Sequence, residues 1–465
     1  MLLRYRLPAD LITPLGTYLA LRSHGASLLL ESADQGERVG RHSFVLLEGA
    51  GEVRLGVGER GWVEALRALA GTPDPSRGSL MEDSELPEDT RSAMPVGVGI
   101  AGYVGFEALA ANEASIGFPA KNGFGLPSVH AKRFDAAVVF DHLHQVAELQ
   151  VRADSLDDAR EKIRQMRIAL YQPVLPREEV GQPTVHALIS REDFKQRVAN
   201  TLQRIKEGDV YQLVPSQRLR VDAPPSPLTA YRRMRRLNPS PYGFLMEWHE
   251  ISLAGASPEM LVRVADGEAE TLPIAGTVTR GESVEEDQQR FEALVADKKE
   301  LAEHQMLVDL ARNDLGRVAI PGGVRVEKPL ALQRTSHVLH ITTTVKARIQ
   351  PALDALDVLA SAFPAGTVSG APKIRAAQRI REMEDDARGP YGGALIRLSP
   401  DGALDSALIL RTAIYANGSA WLQAGAGIVR ASDPESEYLE TLHKMAAPAQ
   451  ALGVSLTHLM KEANA

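Results

Sequence analysis

The chain of 465 residues contains no cysteine. That excludes disulfides, thiolate-ligated zinc or iron–sulfur centres, and any thiol nucleophile. If its chemistry consumes ammonia freed from glutamine by a thiol, another polypeptide must free it. Long hydrophobic runs are missing too: no stretch of about 18 apolar residues occurs, so no segment reads as a membrane-spanning helix. The N-terminus, MLLRYRLPAD, puts Arg4 and Arg6 where a secretory signal needs its apolar stretch, and a cytoplasmic location is the expectation. Positive charge is not in excess. A net charge of −8 and a pI near 5.9 argue against nucleic acid or an anionic membrane as the main partner. Internal repeats and low-complexity tracts are absent as well.

What remains is ordinary for a globular protein, with 44% hydrophobic and 24% charged residues. The length allows two or three domains or one large one. Short apolar runs at 26–32, 96–106 and 136–143 read as strands. Residues 72–95 form a polar, proline-containing insert that reads as mobile. Residues 154–172 have an amphipathic helical pattern with a Ser or Asp cap, and 172–184 is the best linker candidate. A helix is expected over 192–209, a long one over 284–312, and a last one opening at Ser432-Asp433-Pro434. Strands are expected at 210–221, 253–265, 337–349, 391–397, 404–415 and 420–429. Strands in runs with interspersed helices indicate an α+β fold with a largely antiparallel sheet, not a βαβ pattern.

Two helical stretches carry the chemistry. DKKELAEHQMLVDLARNDLGR (297–317) has Glu300 and Glu303 three apart, and DPESEYLETLHK (433–444) has Glu437 and Glu440 three apart. Residues at i and i+3 share a helix face. Two such faces opposed would make an all-oxygen nest suited to a hard cation such as Mg²⁺. The bland alternative is a solvated face whose acids pair with Lys298, Lys299, Arg312 and Lys444. The glycine-rich AGTVSGAPK fails the Walker pattern, with only two residues between Gly370 and Lys373. Like AGAGIV (424–429), it could present backbone N–H groups to an anion or be a plain turn. Arg411, in the apolar LILRTAI, must meet either a fixed acid or a ligand carboxylate. His337 and His340 fall on opposite faces of a strand, so they make no zinc pair.

Taken together, these segments resemble the chorismate-utilising enzymes, and within them the large (component I) subunits of anthranilate synthases. The matching stretches include GDVYQLVPSQR (208–218), ASPEMLVRV (256–264), PIAGT (273–277), SHVLHI (336–341), FPAGTVSGAPKIRA (363–376), RGPYGGAL (388–395), LRTA (410–413) and QAGAGIVRASDPESEYLETLHK (423–444). LLLES (28–32), GRHSF (40–44) and GYVGFE (102–107) extend the likeness into the N-terminal region.

The resemblance implies two stacked, largely antiparallel sheets flanked by helices. It divides the chain into an N-terminal region (1–171) with an inhibitor site and partner contacts, and a chorismate-binding catalytic region (185–450), their segments interleaving. It implies a conversion of chorismate and ammonia to anthranilate and pyruvate, with Mg²⁺ held by Glu303 and Glu440 and supported by Glu300 and Glu437. Glu259 would be the general acid, and His340 would assist loss of pyruvate. Arg411 and Tyr391 would grip the enolpyruvyl carboxylate, while Gly276, Thr277, Thr367, Gly425, Ala426, Gly427 and Lys444 would line the substrate site. Glu31, Ser32, Arg41, Pro241, Tyr242 and Gly243 would bind tryptophan as feedback inhibitor. Gly243 stands where the family has methionine. A glutamine amidotransferase subunit is the implied partner, in a heterotetramer. The sister activities carry a lysine where this chain has Gln212 (isochorismate and salicylate synthases) or Ala275 (aminodeoxychorismate synthases). An aminodeoxychorismate or 2-amino-2-deoxyisochorismate synthase is the alternative.

Overall fold

The computed structural model describes residues 1–32, 41–71, 79–81, 94–172, 174–176, 181–334 and 338–461. The insert read over 72–95 therefore lies outside the described residues except at its end and at Ser79–Met81, which runs parallel to Leu2–Pro8. His337 also lies outside them.

Among the described residues twenty strands share one hydrogen-bonded network, and the chain is α+β with a large antiparallel sheet, as its runs of strands imply. The network divides at the strand Val129–Asp141. One edge of that strand follows His42–Leu55 along its length. Its other edge serves two partners in turn, Gly99–Val104 over its first half and Val146–Arg152 over its second. From this fork one series continues through Ala26–Glu31, Tyr242–Glu247, Ser252–Ser257, Thr412–Ala416, Ser419–Gly425 and Ser216–Asp222. The other passes through Ala394–Leu398, Leu404–Leu408, Met260–Ala265, Glu268–Thr271 and Val338–Ile349. A common apolar layer containing Leu28, Phe44, Phe134, Phe244, Leu395 and Ile414 draws on both series, so the two sheets stack across it. Strands from the N-terminal region thus sit inside both sheets.

Four expected elements are broken. The strand expected over 210–221 is two, Gln212–Leu213 and Ser216–Asp222, because the first leaves the large network to pair with Gly370–Ala371. The long helix is two, Val284–Ala296 and Lys298–Gly316, because the Asp297 carboxylate turns back to accept the Lys299 and Glu300 N–H groups and starts the second helix afresh. The strand 253–265 stops at Ser257 and resumes at Met260, leaving Pro258-Glu259 between the two sheets. The strand expected over 404–415 is interrupted at Arg411, whose φ of 48° is left-handed. The sequence places Arg411 inside a strand; the structure places it in the bend between two. Pro183 and the rest of the linker precede a short strand, Thr184–Ala187, that pairs with Ser216–Asp222.

Candidate functional site

The broken elements meet in one place. Helix Lys298–Gly316 presents Glu300 and Glu303. Helix Pro434–Ala451, started by the Asp433 cap and Pro434, presents Glu437, Glu440 and Lys444. Burial holds the Glu303 carboxyl above the ordinary range, and Glu300 and Glu440 push it further in the same direction. Glu437 is likewise raised, by burial first and by Glu440, against a hydrogen bond from Ser432. So the two helices bring their acids within each other's field. Lys444 Nζ lies 2.7 Å from Glu440 Oε1 and donates to the Gly425 carbonyl at 3.0 Å. The i,i+4 pairing of the bland alternative is therefore real for that one acid. Among the described residues no three acids or imidazoles form a closed ligand group as they stand.

The donor set nonetheless suits a hard cation. It is all oxygen, its acids repel one another in a half-buried setting, and the Gln212 Oε1 beside it is buried without a partner. Gln212 is fixed from two sides. Its strand Gln212–Leu213 pairs with Gly370–Ala371, and its Nε2 donates to Glu303 Oε1 at 3.3 Å. A Cβ at Gly427 would meet that Nε2 at 2.9 Å, so a side chain there would push the end of Gln212 aside.

Glu259 is half-buried, and desolvation pushes its carboxyl up to about 7 although Thr367 Oγ1 donates to it at 2.8 Å and Lys444 draws it down. That is a carboxyl able to hold a proton at neutral pH. The hydroxyl of Thr367 is committed to Glu259. His340 Nδ1 is 2.9 Å from the Gly276 carbonyl and 3.2 Å from Thr277 Oγ1. Bonding to a carbonyl requires a proton on Nδ1, which leaves the Nε2 lone pair free, and burial holds the imidazole neutral. Gly276 itself has a φ of 64°.

Arg411 answers the question its sequence left open. Among the described residues its guanidinium has no carboxylate partner, and burial alone lowers its pKa. A half-buried guanidinium without a carboxylate partner in the fold is able to meet a ligand anion. Tyr391 stands nearby in the chain's fold, its phenol pushed up to about 12 by burial and met by the Gly425 N–H. A Cβ at Gly425 would lie 3.0 Å from the Tyr391 oxygen and 2.9 Å from the Pro215 carbonyl. The sequence did not single out Arg388, which fastens this floor. Its guanidinium reaches the carbonyls of Val214 at 2.7 Å and Val368 at 2.8 Å and both oxygens of Glu384. A charged residue inside the apolar, glycine-rich RGPYGG was the available signal.

The second predicted site is a cavity of about 420 Å³ between the two sheets, and Glu31, Ser32, Arg41, Pro241, Tyr242 and Gly243 all line it. Ser32 Oγ donates to the Pro241 carbonyl at 2.8 Å. Both oxygens of Glu31 are engaged, by the Tyr231 hydroxyl and by Arg235, each at 2.8 Å. Arg41 is tied to buried Asp141 at 2.7 Å. Sequence reasoning missed Tyr231, Arg235 and Asp141, which act from behind the lining. It also missed Asp405, bridging Arg263 and Arg397 across the cavity at 2.8 and 2.9 Å.

Against known proteins, the profile of the chorismate binding enzymes matches residues 27–450. The chain is 36% identical to anthranilate synthase component 1 of Acetivibrio thermocellus, over 96% of this chain and 93% of that one. It is 37% identical to the protein of the same name from Neisseria meningitidis serogroup B, over 94% and 92% of the two. Among solved structures, anthranilate synthase component I from Streptococcus pneumoniae superposes with a TM-score of 0.78 at 32% identity, over 89% of this chain and 93% of that one. The Escherichia coli isochorismate synthase MenF superposes with a TM-score of 0.74 over 97% and 94% of the chains; at 22% identity this is a likeness of fold.

Proposed function

This chain belongs to the chorismate binding enzyme family, and from that premise we propose that it works as an anthranilate synthase component 1, converting chorismate and ammonia to anthranilate and pyruvate. The observation that carries this reading is the convergence of a protonatable half-buried acid (Glu259), a half-buried guanidinium without a carboxylate partner (Arg411) and opposed acidic helix faces around one floor. Chorismate is a dianion with a poor leaving group, and these are the groups it calls for.

Glu259 gives its proton to the C4 hydroxyl as that bond breaks, since hydroxide leaves badly and water leaves well. Arg411 and Tyr391 hold the enolpyruvyl carboxylate. Gly276, Thr277, Gly425, Ala426 and Gly427 line the floor and let the ring approach backbone closely. His340, its Nδ1–H fixed by Gly276, offers the Nε2 lone pair during the later loss of pyruvate. Mg²⁺ is the cofactor we assign: Glu300, Glu303, Glu437 and Glu440 would hold it, and when bound it supplies positive charge against the ring carboxylate. Gln212 cannot deprotonate water as a lysine could, and Ala275 leaves room for ammonia in place of a lysine nucleophile. Ammonia would come from a glutamine amidotransferase partner in a heterotetramer, consistent with a chain that has no thiol. In this reading the enzyme is a cytoplasmic carbon–oxygen lyase at the first committed step of tryptophan biosynthesis, and the 420 Å³ cavity takes tryptophan as inhibitor.

The test is purified protein with chorismate, ammonium and Mg²⁺, following fluorescence, pyruvate and product mass together. Anthranilate with equimolar pyruvate, lost in EDTA, is expected. An amino adduct without pyruvate would reassign the chain to an aminodeoxychorismate or 2-amino-2-deoxyisochorismate synthase.

A further inference from the structure

Glu259 has a second neighbourhood that the reaction above does not use. A crevice of about 50 Å³ runs between helix Lys298–Gly316 and the turn Gly366–Ser369, lined by Glu259, Leu310, Ala311, Asp314, Ala365 and Thr367. Leu310, Ala311, Ala365 and Thr367 are only half-buried, so the crevice meets solvent. Asp314 is buried in its wall, with Lys373 Nζ at 2.8 Å and that ammonium anchored on the Ala362 carbonyl, also at 2.8 Å. A buried ion pair is weak evidence for stability. Here it puts a second titratable carboxyl on the same narrow channel as the catalytic one. The charged groups facing the two are Lys444 for Glu259, and Lys373 and Arg317 for Asp314.

We propose that this crevice, with Asp314 held in its wall by Lys373, is the route by which Glu259 regains from bulk solvent the proton it spends in each turnover. The inference rests on the reaction proposed above. There, the nitrogen lone pair forms the C2–N bond, the two ring double bonds shift, and the C4–O pair leaves on an oxygen carrying the Glu259 proton. The new ammonium then releases one proton, and Glu259, left as carboxylate, must take one up. C2 and C4 are separated on the ring, so the proton leaving nitrogen does not fall directly onto Glu259. With substrate covering the floor, the crevice is the open side.

Two variants test this: Ala311→Leu, which narrows the crevice from the helix side, and Asp314→Asn, which keeps the volume and removes the titration. In each, steady-state kcat with ammonium should fall about tenfold or more. The single-turnover rate of enzyme pre-equilibrated at acidic pH, with Glu259 already protonated, should stay within about twofold of wild type. Both rates falling together would make the role structural and overturn the route, as would unchanged kcat in both variants. If Ala311→Leu does not fold, the split in Asp314→Asn decides alone. Wild-type enzyme making no anthranilate overturns the reaction and this route with it, whereas wild-type turnover with no split overturns the route only.

Discussion

At the scale of single residues, the site works by environments that two side chains could not find in water. Desolvation pushes the Glu259 carboxyl up to about 7, outweighing one hydroxyl donor and the Lys444 ammonium, so it can hold a proton in the neutral range. Glu259→Gln should therefore lower kcat by about 10²–10⁴-fold, and wild-type activity should fall as pH rises through about 7, where the acid is lost. The sign for stability is fixed by the same shift. A carboxyl raised in the fold helps stability below its unfolded pKa and loses that contribution as pH rises through the folded one. Glu259→Gln should thus raise Tm relative to wild type at pH 8.5 and leave it nearly unchanged at pH 4, which a pair of melting curves checks. Arg411 is the opposite case, a charge kept in the fold without a partner. Arg411→Lys keeps the charge but not the planar fork, and should raise KM for chorismate by about tenfold or more. An unchanged KM would remove the carboxylate contact from the mechanism.

At the scale of elements, the metal-binding proposal is a statement about two helices rather than four acids. Asp297 starts one of them with two backbone hydrogen bonds, and Asp433 and Pro434 start the other, so each pair of glutamates sits in a well-capped first or second turn. Glu303 and Glu440 already feel each other across the gap. Glu303→Gln and Glu440→Gln should each weaken Mg²⁺ binding by about tenfold or more in calorimetry, and the double variant should lose less than the product of the two. Additive losses would mean the two helices do not share an ion. This is also the scale at which legibility ran out. The spacing of the glutamates and the motifs around them were readable, because i,i+3 neighbours are a local matter. The break at Asp297 was not, since no glycine or proline marks it and the Asp297 carboxylate creates it by accepting the Lys299 and Glu300 N–H groups. The left-handed backbone of Arg411 was hidden too. It follows from the chain crossing from one sheet to the other, a consequence of non-local pairing that no window of sequence contains.

At the scale of the whole molecule, the cavity and the catalytic floor are joined by very little chain. Strand Tyr242–Glu247 lines the cavity on one side, with Gly243 opposite Glu31, and pairs on its other edge with Ser252–Ser257. That second strand leads after one proline into Glu259, and its Ala256 N–H donates to the Arg411 carbonyl at 3.3 Å. The strand that follows Glu259, Met260–Ala265, returns to the cavity through Arg263, Val264 and Ala265. A ligand that spreads or closes the cavity therefore moves the ends of strands that hold the acid and the guanidinium. If tryptophan binds there, linkage requires reciprocity: the factor by which it weakens chorismate must equal the factor by which chorismate weakens it. Calorimetric titration of tryptophan in the presence and absence of chorismate should show its affinity lowered by about fivefold or more, and an unchanged affinity would mean the two sites are not coupled. The glycine at 243 sets what kind of change can tune this coupling. A Cβ there would lie 3.0 Å from both the Glu31 carbonyl and the Tyr231 hydroxyl. A methionine at this position should therefore disturb the Tyr231–Glu31 bond before it adds contact to a ligand. Gly243→Met is expected to weaken tryptophan binding alone, while Gly243→Met with Tyr231→Phe, which removes the obstructing hydroxyl, should recover part of it. Tighter binding in the single variant would show that the cavity, and not the pair behind it, limits affinity.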